Sequence, residues 1–217
     1  MFSYYERGLE QQRLLQGAGR VELARTRALI ERFVAPPPAV VCDVGGGSGV
    51  YATWLARQGY IVHLVDAVPL HVEQARAASA AQPAHPLASI EVGDARRLAL
   101  PDASVEAVLM LGPLYHLVER AERVQALHEA ARLLRPGAVL LAAVITRFAS
   151  TLYGLLTDKL AEPEFATIAQ QDLQSGQHRN PTENPSYFTT AYFHHPDELK
   201  HEIEAAGLRH EATLAVT

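Results

Sequence analysis

Four residues at a two-residue spacing, Asp43, Gly45, Gly47 and Gly49, follow the apolar run Val40-Val41-Cys42 and precede a helical stretch from Val50 to Arg57. An acid at the tip of a buried strand, followed by residues without Cβ and then a helix start, describes a ligand cradle. Glycine lets the backbone approach a ligand closely, and the helix N-terminus behind it carries unpaired N–H groups. The spacing argues against two common occupants. A dinucleotide fingerprint needs glycine three residues after Gly47, where Val50 stands. A phosphate-binding P-loop needs Gly-Lys followed by Ser or Thr, yet no lysine precedes Lys159. The acid suits a ligand with an ammonium group rather than a pyrophosphate.

The elements that must position such a cradle follow in order. Tyr60 to Val65 predicts a second buried strand closed by Asp66, and Ala88 to Val92 a third, running into Gly93-Asp94-Ala95-Arg96. A fourth, Ala103 to Leu111, leads into Gly112-Pro113-Leu114-Tyr115-His116-Leu117. A helix from Arg120 to Leu134 carries Val124, Leu127, Ala131 and Leu134 on one face. Arg135-Pro136-Gly137 stops it, and a fifth strand runs from Ala138 to Ile145. Any one acid after a strand is commonly a helix cap or turn residue. Three at successive strand ends point to a ligand, and apolar strands alternating with helices predict a parallel sheet covered on both faces.

Asp43-x-Gly45-x-Gly47-x-Gly49 resembles motif I of the class I S-adenosylmethionine (SAM) methyltransferases, and the downstream acids fall in that family's order. The resemblance implies an α/β, doubly wound, mostly parallel sheet of order 3-2-1-4-5 with SAM over the C-terminal strand ends. It implies that Asp66 accepts both ribose hydroxyls, with Ala67 beside the adenine, and that Asp94, followed by Ala95, meets the adenine amine. Leu111 completes the expected cofactor contacts. At the motif IV position, Gly112 stands where enzymes acting on nucleobase amines carry Asn or Asp. That departure argues against a DNA adenine methyltransferase, and Gly-Pro-Leu-Tyr-His-Leu looks like a bacterial small-molecule branch. The implied activity is methyl transfer to an oxygen, nitrogen or sulfur of a small acceptor. A SAM-binding sensor without transferase activity and an NAD(P) oxidoreductase are the alternatives.

The chain has 217 residues, 48% of them hydrophobic, enough for one substantial core and one domain over 1–217. It divides into an N-terminal helical segment (1–35), a SAM-binding core (36–146), a substrate cap (147–195) and a C-terminal helix and strand (196–217). In the first, Tyr4, Tyr5 and Arg13 are candidates to reach cofactor or acceptor. The cap is long for a connection within a compact domain and concentrates aromatics and histidines. Tyr115 after the fourth strand and Tyr187 and Tyr192 of the cap are expected substrate contacts, and His116, His194 and His195 are candidate general bases.

A net charge of −5 offers no basic stripe for nucleic acid, so the expected partner is a small molecule. Ten histidines show no His-Glu-x-x-His, and no metal is expected. Lone Cys42 in an apolar strand is expected to be a buried structural thiol. No apolar signal core and no long apolar run is evident, which predicts a cytoplasmic protein away from membranes. Leu208 to Val216 predicts a sixth strand, after which the seventh, antiparallel strand normal for the family is apparently missing, as in a shortened form of a longer protein. Ser186 to Phe193 is the other β-rich candidate to fill the gap, and a second subunit in a homodimer is another way to cover that edge.

Overall fold

The computed structural model describes residues 14, 16–182 and 184–216. Tyr4, Tyr5 and Arg13 lie outside the described residues. The first helix, α1 (Gly19–Phe33), buries Thr26, Leu29 and Ile30. The strand-helix alternation follows: β1 (Val40–Val44), α2 (Val50–Arg57), β2 (Ile61–Asp66), α3 (Pro69–Ala80), β3 (Ser89–Val92), β4 (Val105–Met110), α4 (Pro113–His116), α5 (Arg120–Leu133) and β5 (Leu134–Ala142). These strands form one parallel sheet in the order β3-β2-β1-β4-β5.

Strand residues alternate between two apolar layers. Val41, Leu64 and Leu109 pack with Ile30, Ala52 and Leu55 on one face. Cys42, Val108 and Met110 pack with Leu127 and Leu133 on the other. Both faces are therefore covered, which is why the strands are near-continuous apolar runs. Burial, reinforced by the Asp43 charge, pushes the Cys42 thiol up to about 12, so it stays protonated and inert at neutral pH.

The cap is a smaller unit. It comprises β6 (Ile145–Thr146), α6 (Ala149–Leu156), a 3₁₀ turn (Lys159–Ala161), α7 (Pro163–Ser175), β7 (Gln177–His178), a second 3₁₀ turn (Pro185–Tyr187) and β8 (Ala191–His194), followed by α8 (Pro196–Ala205). Its own apolar cluster is Phe165, Ile168, Ala169 and Tyr187. Its strands make a separate sheet of order β6-β8-β7.

Three expectations need correction. Residues 208–216 form no strand; a strand needs an open ladder beside it, and here Arg25 of α1 donates to the Ala215 carbonyl at 3.4 Å. The Ser186 to Phe193 stretch does not fill the gap beside β5 either, because β8 pairs parallel with β6 and antiparallel with β7. Arg135-Pro136-Gly137 lies inside β5, which starts at Leu134 through a register shift opposite Val105 and Ala107. Proline is tolerated there because β5 pairs on one side only within the sheet, leaving its other edge without a ladder to interrupt. Among the described residues no helix is long and apolar enough to cross a membrane, and no cluster of three metal-ligating side chains occurs.

Candidate functional site

The glycine loop folds back over the end of β2. The Gly45 and Gly46 N–H groups reach the Val65 carbonyl at 2.7 and 3.4 Å, and the Gly49 N–H reaches the Gly46 carbonyl at 3.0 Å. The Gly47 N–H donates to Asp66 Oδ2 at 2.8 Å. Four of the loop's donors are thus spent within the fold, and a phosphate would find none of them free. Gly45 has φ of 71°, and a Cβ there would come within 2.7 Å of the Pro113 ring, so this contact between motif I and motif IV positions requires glycine. A Cβ on Gly46 would meet the Asp43 carboxyl at 2.8 Å, whereas one on Gly47 would meet nothing within 4 Å. The loop therefore closes over Asp43 at Gly46 and opens to space at Gly47.

Asp43 is 1% exposed, and neither carboxylate oxygen makes a hydrogen bond of good geometry. Burial, with the nearby Asp66 charge, lifts its carboxyl to about 7, against a smaller opposing pull from the Ala52 backbone N–H. A buried carboxyl whose only donor is one poorly aligned backbone N–H is under-satisfied, and a cationic ligand near the loop would favour its charged form.

Asp66 is in the opposite condition. Its Oδ1 accepts from the Val68 N–H at 2.8 Å and lies 3.1 Å from His71 Nδ1, while Oδ2 takes the Gly47 N–H. With three neighbours on four lone-pair directions, one acceptor position on Oδ2 remains. One hydroxyl fits there without rearrangement; two require an existing donor to let go. His71, in the first turn of α3, is a partner of Asp66 that the sequence pattern did not single out, although it stands only five residues further on. Ala67 is exposed beside this acid.

Asp94 stands after β3 with its carboxylate held by Arg96, whose Nε approaches both oxygens at 2.9 and 3.1 Å. The Arg96 hydrogen bonds hold that carboxyl below the usual range. Ala95 packs toward the α5 layer, and Leu111 toward the α2 layer. After β4, the Tyr115 hydroxyl lies 3.4 Å from the Leu111 carbonyl, and its ring meets that of His116 edge-on at 4.6 Å. Burial pushes His116 down to about 4, so at neutral pH it is an uncharged imidazole of low basicity. The cap comes to this point: α4 packs against β8, and the His116 ring is 6.3 Å from that of Phe188.

The remaining candidates have structural partners. Tyr187 is buried in the cap cluster, and its hydroxyl donates to Glu162. The Tyr192 ring lies 3.7 Å from the Arg123 guanidinium carbon, and its hydroxyl donates to Glu198 at 2.9 Å. His194 is 1% exposed, with Nε2 3.3 Å from Glu202. His195 caps α8: its ring accepts the Asp197 N–H while its own N–H donates to Glu198. The structure therefore brings Asp43, Asp66 and the glycine loop together with Pro113, and brings the cap tyrosines and histidines into ion pairs and packing.

Sequence reasoning missed the centre of those ion pairs. Buried Arg123 of α5 makes a two-point contact with buried Glu202 of α8, the shorter at 2.7 Å, and donates to the Leu117 and Val118 carbonyls at 3.0 and 2.7 Å. Burial alone would raise Glu202, but hydrogen bonds from His194 and Arg123, with their charges, hold it below the usual range. The pair joins α8 to the segment just after α4. A cavity of about 540 Å³ lies beside it, lined by Arg123, Gln177, Tyr192, Glu198 and Glu202 among others. A separation of 79 residues between the two charges leaves no local signal to read.

Residues 42–142 match the family model described as a methyltransferase domain. An uncharacterized methyltransferase of Mycobacterium bovis is 37% identical over 97 residues, 45% of this chain and 36% of the relative. The match thus spans about a third of the length of that curated relative. A SAM-dependent methyltransferase structure from Methanosarcina mazei superposes with a TM-score of 0.63 at 20% identity, over 82% of each chain. A Pyrococcus horikoshii protein reaches 0.68 at 17% identity, over 94% of this chain and 89% of its own. At those identities the likeness concerns the fold.

Proposed function

We propose that this chain, whose residues 42–142 match a methyltransferase-domain family model, is a class I SAM-dependent methyltransferase that transfers a methyl group from SAM to an oxygen, nitrogen or sulfur of a small-molecule acceptor. One observation carries the choice of donor over a dinucleotide. The N–H groups of Gly45, Gly46, Gly47 and Gly49 are consumed by Val65, Asp66 and Gly46, so the glycines themselves offer shape rather than phosphate-binding donors. The orphaned Asp43 carboxylate adds a reason for the ligand to be cationic.

The donor, when bound, supplies a methyl group on positively charged sulfur, already activated for displacement. The protein's part is to hold and orient. Asp66 holds a ribose hydroxyl through the position left on Oδ2, and Gly47 leaves room above the loop. Asp94 reaches the adenine amine only by sharing its carboxylate with Arg96. Gly112 has no side chain to grip an acceptor amine, so shape positions the acceptor, with Tyr115 and neutral His116 orienting it by hydrogen bonding. A base as weak as His116 orients better than it deprotonates, which favours acceptors that reach the site already nucleophilic.

The test is incubation with methyl-labelled SAM and a panel of phenols, amines, carboxylic acids and thiols. A labelled small molecule is expected. Label appearing in nucleic acid or protein instead contradicts the acceptor class, and SAM binding with no transfer to any acceptor favours the sensor alternative.

A further inference from the structure

Helix α6 is turned inside out relative to an ordinary amphipathic helix. Its small residues face the protein: Ser150 is buried and donates to Asp172 of α7, and a Cβ on Gly154 would lie 2.8 Å from Leu160 and Phe165. Its large apolar residues face outward. Phe148, Leu152, Leu155 and Leu156 recur at helical spacing on one side, with Tyr153 beside them, and all five are exposed, Leu155 by 64% and Leu156 by 86%. An isolated exposed leucine needs no explanation, but five contiguous apolar side chains do.

From this face we infer that α6 is the self-association surface of the protein, packing against α6 of a second copy about a twofold axis. Two arguments select that occupant. The first is area: the five side chains, 44–86% exposed, leave roughly 500 Å² uncovered in each copy, so an isologous contact removes up to about 1,000 Å², the size of a weak, reversible interface. The second is charge. No charged residue occurs from Phe148 to Thr157, and the basic residues on either side are already engaged, Arg147 with Glu198 at 2.6 Å and Lys159 with Glu162 at 3.7 Å. An anionic membrane or an acidic partner finds no available cation to draw it there, whereas a second α6 is complementary without one.

Sedimentation velocity from micromolar to near-millimolar protein tests this, with Leu155→Glu and Leu156→Glu as variants and circular dichroism as the control for folding. The parent is expected to shift from monomer to dimer, and each variant to weaken the dimer at least tenfold with unchanged dichroism. Leu156→Cys supplies a readout independent of stability: mild oxidation should link two copies through it, whereas Val21→Cys, also exposed but on α1, should link few. A parent that stays monomeric throughout, a dimer that persists in both glutamate variants, or a monomer that instead co-sediments with phosphatidylcholine–phosphatidylglycerol vesicles would each overturn the assignment.

Discussion

The five-stranded sheet and the cap are held together by different forces. In the sheet, Val41, Val62, Leu64, Ala107 and Leu109 are wholly or almost wholly buried among apolar neighbours. In the cap and its junction with α8, a small apolar cluster is joined by buried polar networks, Ser150, Asp172 and His178 in one and Arg123, Glu202 and His194 in another. Apolar contacts tolerate small shifts, because their strength depends on area rather than direction. Buried ion pairs do not, since losing one partner leaves the other charge without water. The sheet is thus a durable support for the glycine loop, while the junction of the cap with α8 depends on buried side chains whose partners must be present.

The sharpest way to break this contrast is Glu202→Ala, which leaves the Arg123 guanidinium buried beside an empty space. A loss of about 3–5 kcal/mol is expected in urea unfolding, with Glu202→Met on an Arg123→Met background recovering much of it. A loss below 1 kcal/mol would show that the junction relaxes or admits water, and that the cap is not pinned there.

A second test probes the polar strain on the sheet side. Asp43 binds its proton more tightly folded, at about 7, than in an ordinary environment, at 3.8. Between those values the native state holds more protons than the unfolded state, so stability falls as pH rises from about 4 to 7 and then levels off. The contribution of this group is on the order of 4 kcal/mol. Asp43→Asn, neutral throughout, should abolish that decline and be the more stable protein at pH 8 in the absence of ligand. Parallel pH profiles for parent and variant would mean that Asp43 is better solvated than its burial indicates.

The smallest effect belongs to His195. Replacing it with alanine removes a helix cap and should cost about 1 kcal/mol in thermal unfolding while leaving SAM affinity unchanged. A large fall in methyl transfer with full stability retained would instead restore His195 as a catalytic base.

The same contrast explains what was legible beforehand. The sheet order, the glycine loop and the three acids could be read because each rests on local chemistry: an apolar run, a residue without Cβ, an acid at a strand tip. The roles of Tyr192 and His194 could not, because Arg123 and Glu202 meet them only after α5 and α8 have packed. Asp66 was identifiable as an acceptor, but not the Gly47, Val68 and His71 donors that occupy most of it. Leu208 to Val216 has strand-like composition, yet composition does not supply a ladder, and the segment runs past α1 instead.

SAM is the expected ligand of the glycine loop and Asp66. Calorimetric titration of the purified protein with SAM, S-adenosylhomocysteine, NAD and NADP tests it directly. Micromolar binding of the first two and none of the dinucleotides is expected, with Asp66→Ala weakening SAM by about 1.5–3 kcal/mol through loss of a charge-assisted hydrogen bond. Tighter binding of NADP than of SAM, or an Asp66→Ala variant that binds SAM as well as the parent does, would contradict that assignment.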